Sequence, residues 1–250
     1  MVEPNKAIQR NHIPNLQKAL DELAEYRPVQ YVIGYEYFAG HKIKVNENVL
    51  IPRPETEEIF RMITADFTQY KYQELNILDA CTGSGALACS LAAWFPRSKV
   101  HGCDISAEAL EVAKSQNIFT DEATVSNQNS PNFSQWDLLD DPPEIEELDI
   151  IVSNPPYVLE GEKPYMSRNV LDYEPALALF VPDHDPLRFY KALGQWASSL
   201  LKMGGRGYFE FNEAFGNEIT ELFASLGFSD VILHEDINSK PRFVSFTKWF

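Results

Sequence analysis

The sequence predicts an α/β fold: a doubly wound, Rossmann-like sheet with a C-terminal antiparallel edge hairpin, preceded by a β-hairpin and a short helical N-terminal segment. Three observations carry this. From residue 75 onward, short apolar runs alternate with amphipathic ones, the pattern of parallel strands joined by crossover helices. The first strand runs straight into a glycine-bearing turn, Cys81-Thr-Gly-Ser-Gly85, followed at once by a helical segment. The last two strands are separated only by Ile237–Pro241, too short a link for a crossover helix, so they pair antiparallel.

Taken in order, residues 1–27 are polar and helical around 15–24, where Leu16, Leu20 and Leu23 form one narrow apolar face at i, i+4 and i+7. A helix that short must dock on something. From Tyr31 to Ile51 the pattern turns strand-like, with Gly34 and Gly40 as turns. Residues 28–52 therefore read as a β-hairpin linker, and 53–250 as the main domain. PRPETEEIF (52–60) opens a helix: prolines fix its start, and Glu55, Glu57 and Glu58 suit a helix N-terminus. LNILDA is then a strand and GALACSLAAWF a helix; KVHGCDI is a strand and SAEALEVAKSQN a helix. LDIIVSN, GGRGYFEF, SDVILHED and RFVSFTKW are the remaining strands, with helices at PLRFYKALGQWASSLL and NEAFGNEITELFASLG. Residues 121–134 read as an exposed polar loop, and EIEELD as a solvated connection.

Composition narrows the function classes. Hydrophobic residues at 44 % and aromatics at 12 % supply a packed core, so general disorder is excluded. The balance of 21 basic against 37 acidic residues gives −16, which disfavours direct nucleic-acid binding, a process that relies on clustered Lys and Arg. Three cysteines without a Cys-x-x-Cys pair suit a reducing compartment. The five histidines (12, 41, 101, 184, 234) are scattered, so no metal is expected. MVEPNKAIQRNHIPN has no apolar signal-peptide core, and the longest mostly apolar run, Ala86–Phe95, is too short to span a bilayer. The expected location is cytoplasmic, with no membrane partner.

The glycine turn points to an adenosine-type ligand. Glycines let backbone approach a ligand, and the free amides of the following helix favour polar or anionic groups. Nineteen residues past Gly85, at the end of the next strand, stands Asp104, placed for a carboxylate to accept from both ribose hydroxyls. Gly83-Ser-Gly85-Ala-Leu-Ala88 can be forced onto a dinucleotide fingerprint. Asp79, four residues before Gly83, instead gives the D-x-x-x-G-x-G arrangement of S-adenosylmethionine enzymes. The zwitterionic methionine of that cofactor tolerates a nearby acid, whereas a pyrophosphate does not. The loop alone leaves the choice open.

The run DIIVSNPPY (149–157) decides it. A buried strand ends on Asn154, Pro155, Pro156 and Tyr157, and proline neither donates nor fits a central strand. The segment is expected to end the fourth strand, beside the first, in the crevice where strand order reverses. There the Asn154 side-chain oxygen and the Pro155 carbonyl can both accept from one NH2 group. Pro156 stiffens the turn, and Tyr157 offers a flat surface. A planar, conjugated NH2, either a carboxamide or an exocyclic base amine, is a poor nucleophile that two such acceptors would orient and stabilise as positive charge develops on attack. A sulfonium methyl is the matching electrophile.

With these residues in place, the chain resembles the protein-(glutamine-N5) methyltransferases that modify peptide-chain release factors, the HemK/PrmC family. The resemblance covers roughly 27–250 through RPVQYVIGYEYFAGHKIKVNENVLIPRPETEE, ILDACTGSGALACSLA, DISAEALEVAKSQN, DIIVSNPPYV, DYEPALALFVPDHDPLRFY and DINSKPR. NPPY alone is shared with amino-methyltransferases of DNA and RNA bases; the VLIPRPETE block is the more diagnostic. The resemblance implies a class I methyltransferase fold, S-adenosyl-L-methionine as cofactor with S-adenosyl-L-homocysteine as product, and a release factor as partner. It assigns Thr82, Gly83, Ser84 and Gly85 to the methionine part, Asp104 to the ribose, and Asp137 and Leu138 to the adenine side. Asp79, Cys81, Ile105 and Asn154 also fall to the cofactor, and Asn154–Tyr157 to the glutamine amide. Arg53 and Glu55 either shape the entrance or form an ion pair at the helix start; Glu174, in DYEPAL, is either a loop brace or a substrate contact.

Departures from the family pattern carry their own expectations. Cys81 stands where the first glycine is usual, so it should avoid a glycine-only backbone angle and act as a small buried filler. Pro186 and Ser239 also replace usual glycines. Only about 27 residues precede the hairpin, where the family carries a full helical domain that helps engage the release factor. The competing readings are a DNA or RNA base amino-methyltransferase, against which the acidic charge counts, and a non-catalytic nucleotide-binding module on the same fold.

Overall fold

A computed structural model of the protein describes residues 10–118, 130–145 and 147–250. Helix α1 (Ile13–Ala24) has Pro14 in its first turn, where a missing N–H is harmless. Its apolar stripe is present but not docked: Ile13, Leu16, Leu20 and Leu23 are each 39–51 % exposed, and no α1 residue is buried. Residues 29–33 correct the sequence reading. They form a short helix, α2 (Val29–Ile33), stopped by Gly34 in the left-handed region, and only then do β1 (Tyr35–Phe38) and β2 (His41–Lys44) pair antiparallel. Ala39 and Gly40, both at positive φ, close this hairpin with the turn that suits the twist of its strands. Phe38, Ile43, Val45, Val49 and Ile51 bury into one cluster with α3 (Thr56–Asp66), so the hairpin shares a core with the rest of the chain.

The main sheet follows in β3 (Asn76–Ala80), α4 (Ala86–Trp94), β4 (Lys99–Asp104), α5 (Ala107–Lys114), β5 (Asn132–Gln135) and β6 (Leu148–Ser153). A two-residue pair, β7 (Val158–Leu159) with β8 (Phe180–Val181), flanks α6 (Arg168–Leu171). The chain ends in α7 (Arg188–Leu200), β9 (Leu201–Glu210), α8 (Gly216–Ser225), β10 (Ser229–Glu235) and β11 (Pro241–Thr247). Strand order is β10-β11-β9-β6-β3-β4-β5, with β9 antiparallel to β11, β11 antiparallel to β10, and the rest parallel. The final hairpin is therefore at one edge, as expected, and β6 lies beside β3 at the reversal point. Alternate residues serve opposite faces: Ile77, Ile150 and Val152 pack with α3 and α4, while Leu78 and Ile151 pack with α7 and α8.

Two expected elements shift. Asn132–Gln135 is not loop but the parallel edge strand β5; most of its residues face solvent, so it lacks the apolar signal of a strand. The 121–129 part of that expected loop lies outside the described residues. The helix expected from Asn212 begins at Gly216, because Asn212 accepts the Ala214 amide through Oδ1 and first makes a tight turn over Glu213–Phe215. Among the described residues no helix is long and apolar enough to cross a membrane, and no cluster of His, Cys, Asp or Glu could hold a metal ion.

The close approach of Gly207 on β9 to the Phe246 ring, its cross-strand partner on β11, yields a stability test. A Cβ there would lie 2.1 Å from Phe246 Cζ. The ring is fully buried and stacked 4.6 Å from Phe223, so it cannot retreat. Gly207→Ala should cost about 1–3 kcal/mol of stability, measured by urea denaturation; an unchanged midpoint would show that the aromatic cluster is loosely packed.

Candidate active site

At the carboxyl ends of β3, β4, β5 and β6 lies a cavity of about 340 Å³, large enough for a small-molecule ligand. Its walls come from the turn after β3 (Cys81, Thr82, Gly83 and Ser84), from Asp104 and Ile105 after β4, and from Asp137 and Leu138 after β5. Asn154 and Pro156 enter after β6, and Arg53 with Thr56 close one side at the start of α3.

The turn after β3 is held by two carboxylates. Asp79, 1 % exposed, accepts from Thr82 Oγ1 (2.6 Å) and from the Ala88 amide at the start of α4 (3.1 Å), both on Oδ2. Burial pushes its pKa up to about 7, against the lowering effect of those bonds. Asp104 accepts the Gly83 amide at 2.8 Å and the Ser106 amide at 3.0 Å; burial raises its pKa too. A Cβ on Gly83 would meet nothing within 4 Å, so its backbone is bare toward open space. Gly85 is outside the cavity wall; at φ +78° it begins α4, and a Cβ there would press Ala113 and Phe133 at 3.1 Å. Cys81 overturns its expectation: it does adopt positive φ, +60°, a conformation that costs a side-chain-bearing residue about 1–2 kcal/mol. Its thiol is raised well above the ordinary range by burial and then by Asp104, so it is not a thiolate nucleophile at neutral pH.

At the end of β6, Asn154 and Pro156 stand in the cavity wall, and both prolines of the turn are buried. Asn154 Nδ2 donates to Thr56 Oγ1 at 3.1 Å. Thr56 in turn donates to Glu210 Oε2 at 2.8 Å, and the Tyr157 hydroxyl donates to Glu210 Oε1 at 2.8 Å. Glu210 ends β9, one step beyond the paired Ser153 and Phe209, and is 1 % exposed. Burial raises its pKa, opposed by Thr56, Tyr157 and Arg242. The Tyr157 phenol is pushed far up by burial and by Glu210, so it remains a donor. Asn212 Nδ2 completes the frame, donating to the Tyr157 carbonyl at 3.3 Å and to Glu162 at 3.0 Å.

Arg53 pairs with Glu174 at 2.6 Å rather than with Glu55, and Glu174, 5 % exposed, also accepts the Ile51 amide at 3.0 Å. Glu174 is thus a brace for the PRPET segment. Glu55 is half-buried at the start of α3 and is not part of the cavity wall. Sequence reasoning missed Thr56, Glu210 and Asn212. Thr56 lay inside the quoted PRPET block. Glu210 had a signal of its own: the one acid in the apolar run Tyr208-Phe-Glu-Phe211, where a buried charge needs partners.

The family model of the methyltransferase small domain matches residues 61–171. A release factor glutamine methyltransferase of Bacteroides thetaiotaomicron is 41 % identical over 230 residues, 92 % of this chain and 79 % of that protein. A release factor glutamine methyltransferase of Flavobacterium psychrophilum is 38 % identical, covering 98 % and 84 %. A methyltransferase crystal structure from Pyrococcus furiosus shares the fold at TM-score 0.53 and 20 % identity, over 95 % of this chain and all of that one. The chain belongs to the release factor glutamine methyltransferase family.

Asp79 offers a pH test. Its folded pKa of about 7 lies above the unfolded value of 3.8, so the fold prefers the protonated acid. The stability this contributes is fully present below about pH 4 and is lost as pH rises through 7. Both native bonds fall on one oxygen, so Asp79→Asn retains them and removes the titration. Relative to wild type, the variant should gain roughly 2–3 kcal/mol between pH 5 and pH 8, read by denaturation at each pH. A constant difference would mean that Asp79 ionises normally.

Proposed function

We propose that this chain transfers the methyl group of S-adenosyl-L-methionine to the side-chain amide nitrogen of a glutamine in a peptide-chain release factor, leaving S-adenosyl-L-homocysteine. The single observation that carries the reading is the engagement of Asn154 Nδ2 by Thr56. A carboxamide's oxygen and nitrogen point apart, so Asn154 Oδ1 is left to accept from a substrate NH2 in the cavity that the glycine turn and Asp104 also line.

The donor set fits the cofactor. Gly83 brings bare backbone and Asp79 a carboxyl group for the methionine end, which carries both charges. Asp104 takes the Gly83 amide on Oδ2 and the Ser106 amide on Oδ1, with the Ile105 amide also favouring its charged form, and a carboxylate with about four lone-pair sites keeps capacity for a ribose hydroxyl. Leu138, 6 % exposed, and Asp137 give an apolar wall and a polar edge for adenine. When bound, the cofactor supplies a sulfonium methyl as electrophile.

The residues of the chain do the rest by position and charge. A glutamine amide nitrogen shares its lone pair with the carbonyl and attacks poorly. Asn154 Oδ1 and the Pro155 carbonyl, accepting its two hydrogens, would hold the nitrogen in line and favour the positive charge that builds on it as the new bond forms. Pro156 fixes the turn, and Tyr157, tied to Glu210, anchors it. Family membership supports the release factor as the partner of this site.

Labelled methyl transfer to purified release factor tests the reading, with a control in which the substrate Gln is replaced. Transfer should require that Gln; label that persists without it, or appears only on nucleic acid, would falsify the assignment. Asn154→Ala should lower kcat about 100-fold or more, the scale for losing one preorganised charge-stabilising group, while cofactor Kd stays within a few-fold. Equal loss of both would place Asn154 in folding or cofactor binding instead.

A further inference from the structure

We propose that Glu210 is a positioning residue that sets, through the Thr56 hydroxyl, which way the Asn154 carboxamide faces. The proposal rests on the function argued above and adds what makes Asn154 an acceptor rather than a donor. An asparagine amide is nearly symmetric in shape, so packing alone does not choose between its oxygen and its nitrogen. The choice has to come from a neighbour of fixed polarity.

Thr56 supplies that polarity only because of Glu210. A hydroxyl has one hydrogen and can either donate to Asn154 or accept from it. Glu210 Oε2 takes the hydrogen at 2.8 Å, so Thr56 Oγ1 can only accept, and Asn154 Nδ2 meets it at 3.1 Å. Inverting Asn154 would set its oxygen against the Thr56 oxygen and turn NH2 toward the substrate's NH2. The second oxygen of Glu210 is occupied by the Tyr157 hydroxyl, so one carboxylate orders both ends of Asn154–Tyr157. Both hydroxyls donate to Glu210, bonds that oppose the upward push of burial on its pKa and favour the ionised, acceptor-only carboxylate. Its seat is rigid: Glu210 pairs with Phe243 on β11, directly follows the residue paired with Ser153 of β6, and its carbonyl accepts the buried Tyr190 hydroxyl at 3.0 Å. Glu210 itself is absent from the cavity wall, so it acts through Thr56 and Tyr157 and not on substrate.

The test compares wild type with Thr56→Val, Thr56→Ser, Glu210→Met and the double variant Thr56→Val/Glu210→Met. Each is assayed for methyl transfer to release factor, for S-adenosylmethionine Kd by calorimetry, and for Tm. Thr56→Val and Glu210→Met should each lower kcat about 10- to 100-fold, less than or equal to loss of the acceptor itself, while cofactor Kd moves under about threefold. Thr56→Ser, which keeps the hydroxyl, should restore kcat to within about threefold of wild type. Because both changes break one chain of bonds, the double variant should be no slower than the slower single one. Wild-type kcat in Thr56→Val, equal slowing in Thr56→Ser, multiplied losses in the double variant, or kcat losses matched by lost cofactor binding would each overturn the relay. Should Glu210→Met fail to fold, the Val and Ser pair decides alone. An active wild type beside an indifferent Thr56→Val enzyme removes only the relay; a wild type that never labels release factor removes the functional reading and the relay together.

Discussion

A carboxyl group buried at the carboxyl end of β9 is the constraint around which the substrate side of this protein is arranged. Glu210 pairs with Phe243 on β11 and is 1 % exposed, where an unpaired charge would cost several kcal/mol. The surroundings answer with donors from distant parts of the chain: Thr56 from the first long helix of the main domain and Tyr157 from the turn after β6. Arg242 on β11 adds opposite charge, itself balanced by Asp236 and Glu213. Satisfying one acid therefore draws α3, β6, β9 and β11 to a single point, which is also one wall of the cavity.

The cofactor side is solved by the same means with different donors. Asp79 and Asp104 are held by backbone amides and the Thr82 hydroxyl, and both carboxyls are raised by burial. Each fixes the turn by accepting from it, so the glycine turn is shaped from two strands at once. Gln116 extends the arrangement to the N-terminal hairpin: its amide bridges the Lys44 carbonyl and the Ser84 carbonyl at 3.0 and 2.9 Å. The hairpin, the glycine turn and α5 are thereby one unit, consistent with the buried cluster that the hairpin shares with the main sheet.

What the sequence disclosed follows from which signals are local. Alternating apolar runs, the D-x-x-x-G turn, Asp104 after the next strand and the proline stop after β6 are each spelled out within a few residues, and the fold and cavity lining follow them. The misreadings come where the deciding contact is remote or the local signal is weak. Polar β5 is a strand only because β4 offers it an edge. Residues 29–33 are too short a helix to show a period, and only the Pro28 and Gly34 boundaries mark it. Cys81 at positive φ is forced by the geometry of the turn, with the Thr82 amide bound to the Cys103 carbonyl at 2.9 Å, and nothing in its own chemistry announces this. Arg53 finds Glu174 across 121 positions, and Thr56 finds Glu210 across 154; neither pairing has a period to betray it.

That distinction explains why the two prolines after Asn154 are not a sufficient design for an acceptor site. Proline fixes its own φ and restricts the residue before it, so the run sets where the backbone goes after β6. It has no hold on the side-chain torsions of Asn154, whose last rotation exchanges two groups of similar size and opposite polarity. A backbone device cannot resolve that ambiguity; a hydrogen bond of defined direction can. The turn is thus spelled locally in Asn-Pro-Pro-Tyr, while the facing of its asparagine is set by a threonine and a glutamate that the fold alone brings to it.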